Sequence, residues 1–299
     1  MVRFRAVFFL LLTGTIVTAA ACGGAGTTTG GKPGVVATTQ QIGSLARAIV
    51  GDRMTVTTLI GPGVDPHDYE ASPNNVKSMG AAAIVLKHGI GLDAHLDKAI
   101  EGSGAKRVVT VTTGIVLLKS ASGDNDPHVW HDPEDAKIMA DNIEAALASV
   151  DPANADYYRQ QADAQKQRLD AADTTIKQLI GAIPPDNRKM VTDHDAFAYF
   201  IKRYGLQFVG AVIPGVATQG EASAQQLATL EDLIRKDGVK AIFAENSLDP
   251  RVSQQIAKDT GVKIVTDLYG DSLGPPGSGA DTIEGMLVSN ATKIAGALK

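Results

Sequence analysis

From Asp151-Pro152 to about Ile183 the chain runs with few breaks through a helical pattern, and this stretch constrains the fold more than any other. At 1.5 Å per residue a helix of roughly 30 residues spans about 45 Å, more than one small lobe needs. Its apolar positions keep no strict heptad, which argues against a coiled-coil arm. Pro184-Pro185 stops it, since proline lacks the backbone donor and clashes with the preceding turn. The run reads as a rigid strut with one body of chain on either side.

Both flanks alternate short β-rich runs with helical runs, the signature of βαβ units and a parallel sheet. In the first flank the strands are Val35–Thr38, Met54–Ile60, Ala83–Lys87 and Arg107–Val111. Ser72-Pro73 gives a helix start, and Leu92, Leu96 and Ile100 share a helix face. In the second flank the strands are Lys189–Thr192, Gln207–Val212, Ala241–Ala244 and Lys263–Thr266. Glycines 205 and 261 close helices, and 269–280, rich in Gly and Pro, reads as a loop. The expected fold is α/β: two similar lobes, each a small, mainly parallel sheet flanked by helices, joined by one long helix. The boundaries read 35–150 for the N-terminal lobe, 151–185 for the linking helix and 186–299 for the C-terminal lobe. At 299 residues and 44% hydrophobic, the chain is long enough and apolar enough to give each lobe a core.

Ahead of the lobes lies a targeting segment. Arg3 and Arg5 form a positive region, Val7 to Val17 an apolar one, and Thr18–Ala21 a zone of small residues, so 1–21 reads as a secretory signal peptide. The apolar part is too short for a spanning helix. Cys22, the single cysteine, follows at once and cannot form an internal disulfide. Its position resembles a bacterial lipobox, with Ala19 where Leu or Val is commoner, and implies lipidation of Cys22; the alternative is a freely secreted protein with one spare thiol. Residues 22–34 read as a flexible Gly/Thr tether. A net charge of −5 gives no support for a polyanionic partner, so nucleic acid is set aside.

The chemistry centres on histidine. Asp126-Pro-His-Val-Trp-His-Asp-Pro133 holds two of the six histidines and the only tryptophan. Neutral imidazole is the commonest side-chain metal ligand, although such histidines also serve as surface or cap residues. Open α/β sheets bind ligands beyond the carboxyl ends of their strands. His67, His194, Glu245 and Asp267 fall there, and His128 lies on the loop leaving the first lobe's last strand. The pattern predicts a cluster in the cleft between the lobes. His88 sits at a strand end, where either a ligand or a structural role is open, and His95 reads as a solvated helix residue.

Six motifs in this order carry a resemblance: Val64-Asp-Pro-His-Asp-Tyr-Glu70, Asp126-Pro-His-Val-Trp130, His194-Asp-Ala-Phe-Ala-Tyr-Phe200, Gly220-Glu-Ala-Ser223, Ile242-Phe-Ala-Glu245 and Val265-Thr-Asp267. Over nearly all of the mature sequence the chain is similar to the zinc- and manganese-binding receptors of bacterial ABC transporters, the group whose lobes are joined by a single long helix. The resemblance implies metal ligands at His67, His128, His194 and Asp267. It implies Zn²⁺ as bound cargo, because the third position is His in members that handle zinc and often Glu in those that handle manganese. Three imidazoles and a carboxylate also suit tetrahedral Zn²⁺, whereas Mn²⁺ favours more oxygen. Behind the ligands, Glu245, Asp195 and Asp68 are expected to cap or to orient imidazole N–H groups, and His131 reads as an outer or surface group.

The implied protein is a monomeric receptor on the outer face of the cytoplasmic membrane, partnered by an ABC permease and its ATPase. Mn²⁺ or Fe²⁺ is the alternative cargo. A zinc hydrolase would need an open coordination position, and no His-Glu-x-x-His motif is present, so the chain reads as a non-enzyme. A surface adhesin rests on location alone.

Overall fold

The computed structural model describes Met1, residues 34–120 and residues 123–299. The expected signal peptide, Cys22 and the tether up to residue 33 lie outside the described residues. The described residues from Gly34 onward form one compact unit.

Two parallel four-stranded sheets repeat one topology. In the first, β1 (Gly34–Ala37), β2 (Thr55–Thr58), β3 (Ile84–Lys87) and β4 (Val108–Thr110) lie in the order β2-β1-β3-β4. In the second, β5 (Lys189–Thr192), β6 (Gln207–Ala211), β7 (Ala241–Glu245) and β8 (Lys263–Leu268) lie in the order β6-β5-β7-β8. Each order reverses direction between its first and third strands, so a crevice opens at the carboxyl ends of β1 and β3 and again at β5 and β7.

The helices are α1 (Gln40–Val50), α2 (Pro73–Ala81), α3 (Asp97–Gly102), α4 (Pro133–Val150), α5 (Ala155–Gly181), α6 (Ala198–Tyr204), α7 (Ala224–Asp237), α8 (Arg251–Thr260) and α9 (Ile283–Leu298). Their ends follow from local chemistry. Ser72 with Asn75, and Ser223 with Gln226, form capping boxes that satisfy the free N–H groups of α2 and α7. Helices α6, α7 and α8 end on glycines at φ of 70°, 63° and 74°, a left-handed conformation that costs glycine little. The helix expected through Leu92, Leu96 and Ile100 is shorter than its spacing suggests. Gly89, Ile90 and Gly91 all have positive φ, and a single 3₁₀ turn at Ala94–Leu96 precedes α3.

Strand alternation divides the core. Val35, Ala37, Ile84 and Leu86 face a large central cluster, while Val36 and Val85 face a smaller one under α2 and α3. In the second sheet Met190, Ala241 and Phe243 join the central cluster, and Val191 and Ile242 face a satellite under α7 and α8. The 27-residue α5 contributes Tyr158, Ala162, Leu169, Ile176 and Ile180 to that central cluster, a stripe at helical spacing. It packs on α1, α4 and α9. The long helix is thus more than a spacer, because one apolar core runs beneath both sheets and along its length.

A polar clamp reinforces this. Arg203 on α6 lies 3.0 Å from Asp132, the N-cap of α4, 3.1 Å from Glu134, and 2.8 Å from Asp173 on α5. Burial would raise the Asp173 carboxyl, but Arg203, Lys177 and Tyr204 outweigh it and hold the pKa down at about 2. A depressed carboxyl contributes stability that is complete above its unfolded pKa, near 4, and fades as pH falls through the folded value. Asp173→Asn should therefore lower stability by about 1–3 kcal/mol at neutral pH. Urea unfolding across an acid series should show the gap from the parent narrowing between about pH 4 and pH 2.

Candidate metal centre

Two of the site's histidines stand in the same local turn. Asp65-Pro66-His67 follows β2, Asp126-Pro127-His128 follows β4, and in each the aspartate Oδ1 accepts the N–H of the histidine two residues on, at 2.8 and 2.9 Å. Proline fixes φ between them, leaving the turn few alternatives. Asp126 Oδ1 also lies 2.7 Å from His128 Nδ1, which turns Nε2 towards the cleft. His88 secures that loop from behind, with Nε2 2.8 Å from the Pro127 carbonyl. The His67 loop is held from the other lobe, by Thr218 to Asp65 at 2.5 Å and Gln219 to the His67 carbonyl at 2.7 Å.

The third histidine leaves the end of β5. Asp193 accepts the His194 N–H at 3.0 Å and, through its other oxygen, the Glu245 N–H at 2.7 Å, which ties the ends of β5 and β7 together. Glu245 Oε1 lies 2.5 Å from His194 Nδ1. Glu245 Oε2 accepts the Asp271 N–H at 2.9 Å. One carboxylate thus orients a ring and the backbone of its neighbour, as partners behind metal ligands do.

The free faces converge. His128 Nε2 lies 3.2 Å from Asp271 Oδ1, and His67 Nε2 and His194 Nε2 lie 3.4 and 3.3 Å from Asp271 Oδ2. His194 and His128 bring their Nε2 atoms to 3.4 Å. Together His67, His128, His194 and Asp271 make a four-residue constellation with ligand-capable atoms within 4.8 Å of one another. His67 Nε2 and both Asp271 oxygens are buried without a well-formed hydrogen bond, a costly state unless a cation is bound.

The electrostatics point the same way. Burial disfavours a charged His128, but Asp126 and Asp271 override it and push its pKa up to about 9. His194 is likewise raised, with Glu245 and Asp271 outweighing burial. Burial would raise Asp271, yet His194 and His128 hold it well below the usual range. The carboxylates that favour a proton on these rings equally favour a divalent cation among them. Asp193 is pushed up to about 8, by burial and then by Glu245.

Of the sequence-predicted ligands, His67, His128 and His194 come together and Asp267 does not join them. Near its end β8 slips register against β7, with Phe243 opposite Val265 but Glu245 opposite Leu268, so that Leu268 is buried and Asp267 is left largely exposed, 2.9 Å from Lys293. Asp271, four residues on, arrives from the loop instead. Glu245 orients His194, whereas Asp195 does not: it is half-buried, its N–H donates to the Gly215 carbonyl, and Glu245 has the ring nitrogen. Asp68 is exposed on the surface. His131 is fully buried, not a surface group, with Nε2 3.1 Å from the Gly270 carbonyl, and burial drives its pKa down to about 3. Burial also lowers His88, to about 4. His95 is exposed. Asp126 and Asp193 went unassigned in the sequence, although the repeated Asp-Pro-His was a usable signal for Asp126.

A family model described as the periplasmic zinc-uptake complex component A matches residues 35–297. The chain belongs to this family, the metal-binding receptors of bacterial ABC transporters. Among curated members of this receptor family, the manganese-binding lipoprotein MntA of Bacillus subtilis is 34% identical over 275 residues, covering 89% of each chain. The metal ABC transporter substrate-binding lipoprotein FimA of Streptococcus parasanguinis is 31% identical over 276 residues, again covering 89% of each. Among solved structures of these receptors, the periplasmic zinc binding protein TroA of Treponema pallidum superposes with a TM-score of 0.85 at 30% identity, covering 90% of this chain and 99% of that one.

Gly270 gives a local test of the geometry. A Cβ there would lie 1.9 Å from Glu245 Oε2, so the carboxylate that orients His194 occupies the place of a side chain. Gly270→Ala should destabilise the protein by about 1–3 kcal/mol through overpacking, read as a lower Tm.

Proposed function

We propose that the protein is an extracytoplasmic receptor that captures Zn²⁺ and hands it to an ABC permease, held at the membrane through a lipid on Cys22. The spacing of the ligand atoms carries the reading. A tetrahedral ion with bonds of about 2.0–2.1 Å sets its ligands about 3.3–3.4 Å apart. The three imidazole–carboxylate pairs and the His128–His194 pair are separated by 3.2–3.4 Å, and all four residues offer ligand atoms within 4.8 Å of one another. Three nitrogens and one carboxylate are a zinc-type donor set. Carriage accounts for the burial of His128, His194 and Asp271. A zinc hydrolase would instead keep a position open for substrate.

Mn²⁺ is the second reading. Both Asp271 oxygens face ring nitrogens and would allow two-oxygen coordination, and MntA is named for manganese. Nitrogen-rich sites bind Zn²⁺ above Mn²⁺ whatever their cargo, so metal content after growth in medium limited for one ion complements affinity.

Competitive titration of metal-free protein with Zn²⁺ and Mn²⁺ tests the ligand set. Asp271→Asn and His194→Ala should each lose on the order of 10–100-fold or more in zinc affinity, while Asp267→Asn should match the parent. Parent-like binding by Asp271→Asn would remove the carboxylate from the set. In cells, Cys22→Ser should shift the protein from the membrane fraction to the soluble one, as expected when an acyl anchor is lost.

A further inference from the structure

By sequence the fourth carboxylate belongs to the second lobe, yet the first lobe grips the segment that carries it. The Gly270 carbonyl accepts from Trp130 Nε1 at 2.9 Å, beside His131 Nε2. The Asp271 carbonyl accepts from Gln41 Nε2 at 2.9 Å, and the Leu273 N–H donates to Gln40 Oε1 at 3.2 Å. Gln40 and Gln41 open α1, immediately after β1. On its own lobe the segment is held at Asp271 N–H by Glu245 and at Tyr269 by Asn290, which accepts the Tyr269 N–H at 3.0 Å and donates to its carbonyl at 2.7 Å.

Gln41 is the most telling of these contacts. It is 1% exposed, and its Oε1 has no partner. Burying an amide with one end unsatisfied costs free energy, and an apolar side chain of the same length would avoid that cost. What the amide supplies is a single donor, aimed at the backbone of Asp271. A rotation of that peptide would swing the carboxylate away from the three Nε2 atoms.

We infer that Gln41, supported by Gln40, is a positioning residue for the metal centre: from the first lobe it fixes the backbone of Asp271 and so the angle at which that carboxylate meets the imidazoles. The inference rests on the reading of the cluster as the metal site. Separating the lobes would draw Asp271 away from Glu245 or from Gln41, so the position of this carboxylate depends on both lobes, as that of the His67 loop does through Thr218 and Gln219.

The test is a double-mutant cycle on zinc affinity, measured by chelator competition, with the visible spectrum of the Co²⁺-loaded protein as a second readout. Gln41→Met keeps length and removes the donor. It should weaken binding on the order of 10–100-fold, as changes behind a metal ligand do, and dim the Co²⁺ bands as the geometry departs from tetrahedral. That loss should vanish in an Asp271→Asn background and persist in a His67→Ala background, because only the former removes the group through which Gln41 acts. Parent-like affinity in Gln41→Met, or an equal loss in both backgrounds, overturns the inference while Asp271→Asn remains weak. Parent-like binding by Asp271→Asn overturns the metal-centre reading and this inference with it. Should Gln41→Met not fold, Gln40→Met, which removes the acceptor of the Leu273 N–H, is read through the same cycle.

Discussion

Carboxylates buried around three imidazoles set the terms for the rest of the structure. Asp126, Asp193, Glu245 and Asp271 are all nearly inaccessible to water, and each touches a site histidine or its backbone. Removing that much negative charge from solvent is expensive unless positive charge accompanies it. The upward pull on the His128 and His194 pKa values reflects that demand, and a cation among the rings would meet it in place of their protons. The fold has to hold the carboxylates at fixed distances, and most of its polar detail serves that end.

The repeated sheet topology provides the frame. Each reversal in strand order brings two strand ends together, and His194 and Glu245 leave the ends of β5 and β7 side by side. At the matching crevice of the first sheet, Asp93 accepts from Thr38 at 2.8 Å and from the His88 N–H at 2.6 Å. There the switch point serves support: His88 braces the loop that carries His128. The two halves have diverged in role within one plan. Because a single core runs under both sheets and along α5, a wide swing of one lobe against the other would expose apolar surface.

Periodicity and punctuation made most of the fold readable from the sequence. Strand alternation, capping boxes at Ser72 and Ser223, and terminal glycines are local signals that tertiary contacts reinforced. The helix expected after β3 was shortened because Gly89, Ile90 and Gly91 turn left-handed there, which apolar spacing does not encode. Three histidines were legible because each sits in a motif beyond a strand. The carboxylate that meets the three histidines is Asp271, four residues past the one expected. Two aspartates stand at the end of β8, and the register shift there, which leaves Asp267 exposed and Leu268 buried, is not written in the apolar pattern. The partners behind the ligands were harder still. Asp195 adjoins His194 in sequence, but Glu245 reaches the ring from across the sheet, and adjacency in the chain says nothing about that.

The Asp-Pro-His turns carry their orientation with them, since the aspartate that fixes each histidine's N–H lies two residues away. Upstream of the second turn the chain makes a short excursion. It is closed at its base by the Asp126 N–H to the Leu118 carbonyl at 3.0 Å, with a bridge between Lys119 and Asn125 above it. Extra residues grafted between 120 and 124 would add only the slowly growing entropy of a longer loop. A change in the length of chain between 120 and 124 therefore falls outside the closed base from which the second turn starts.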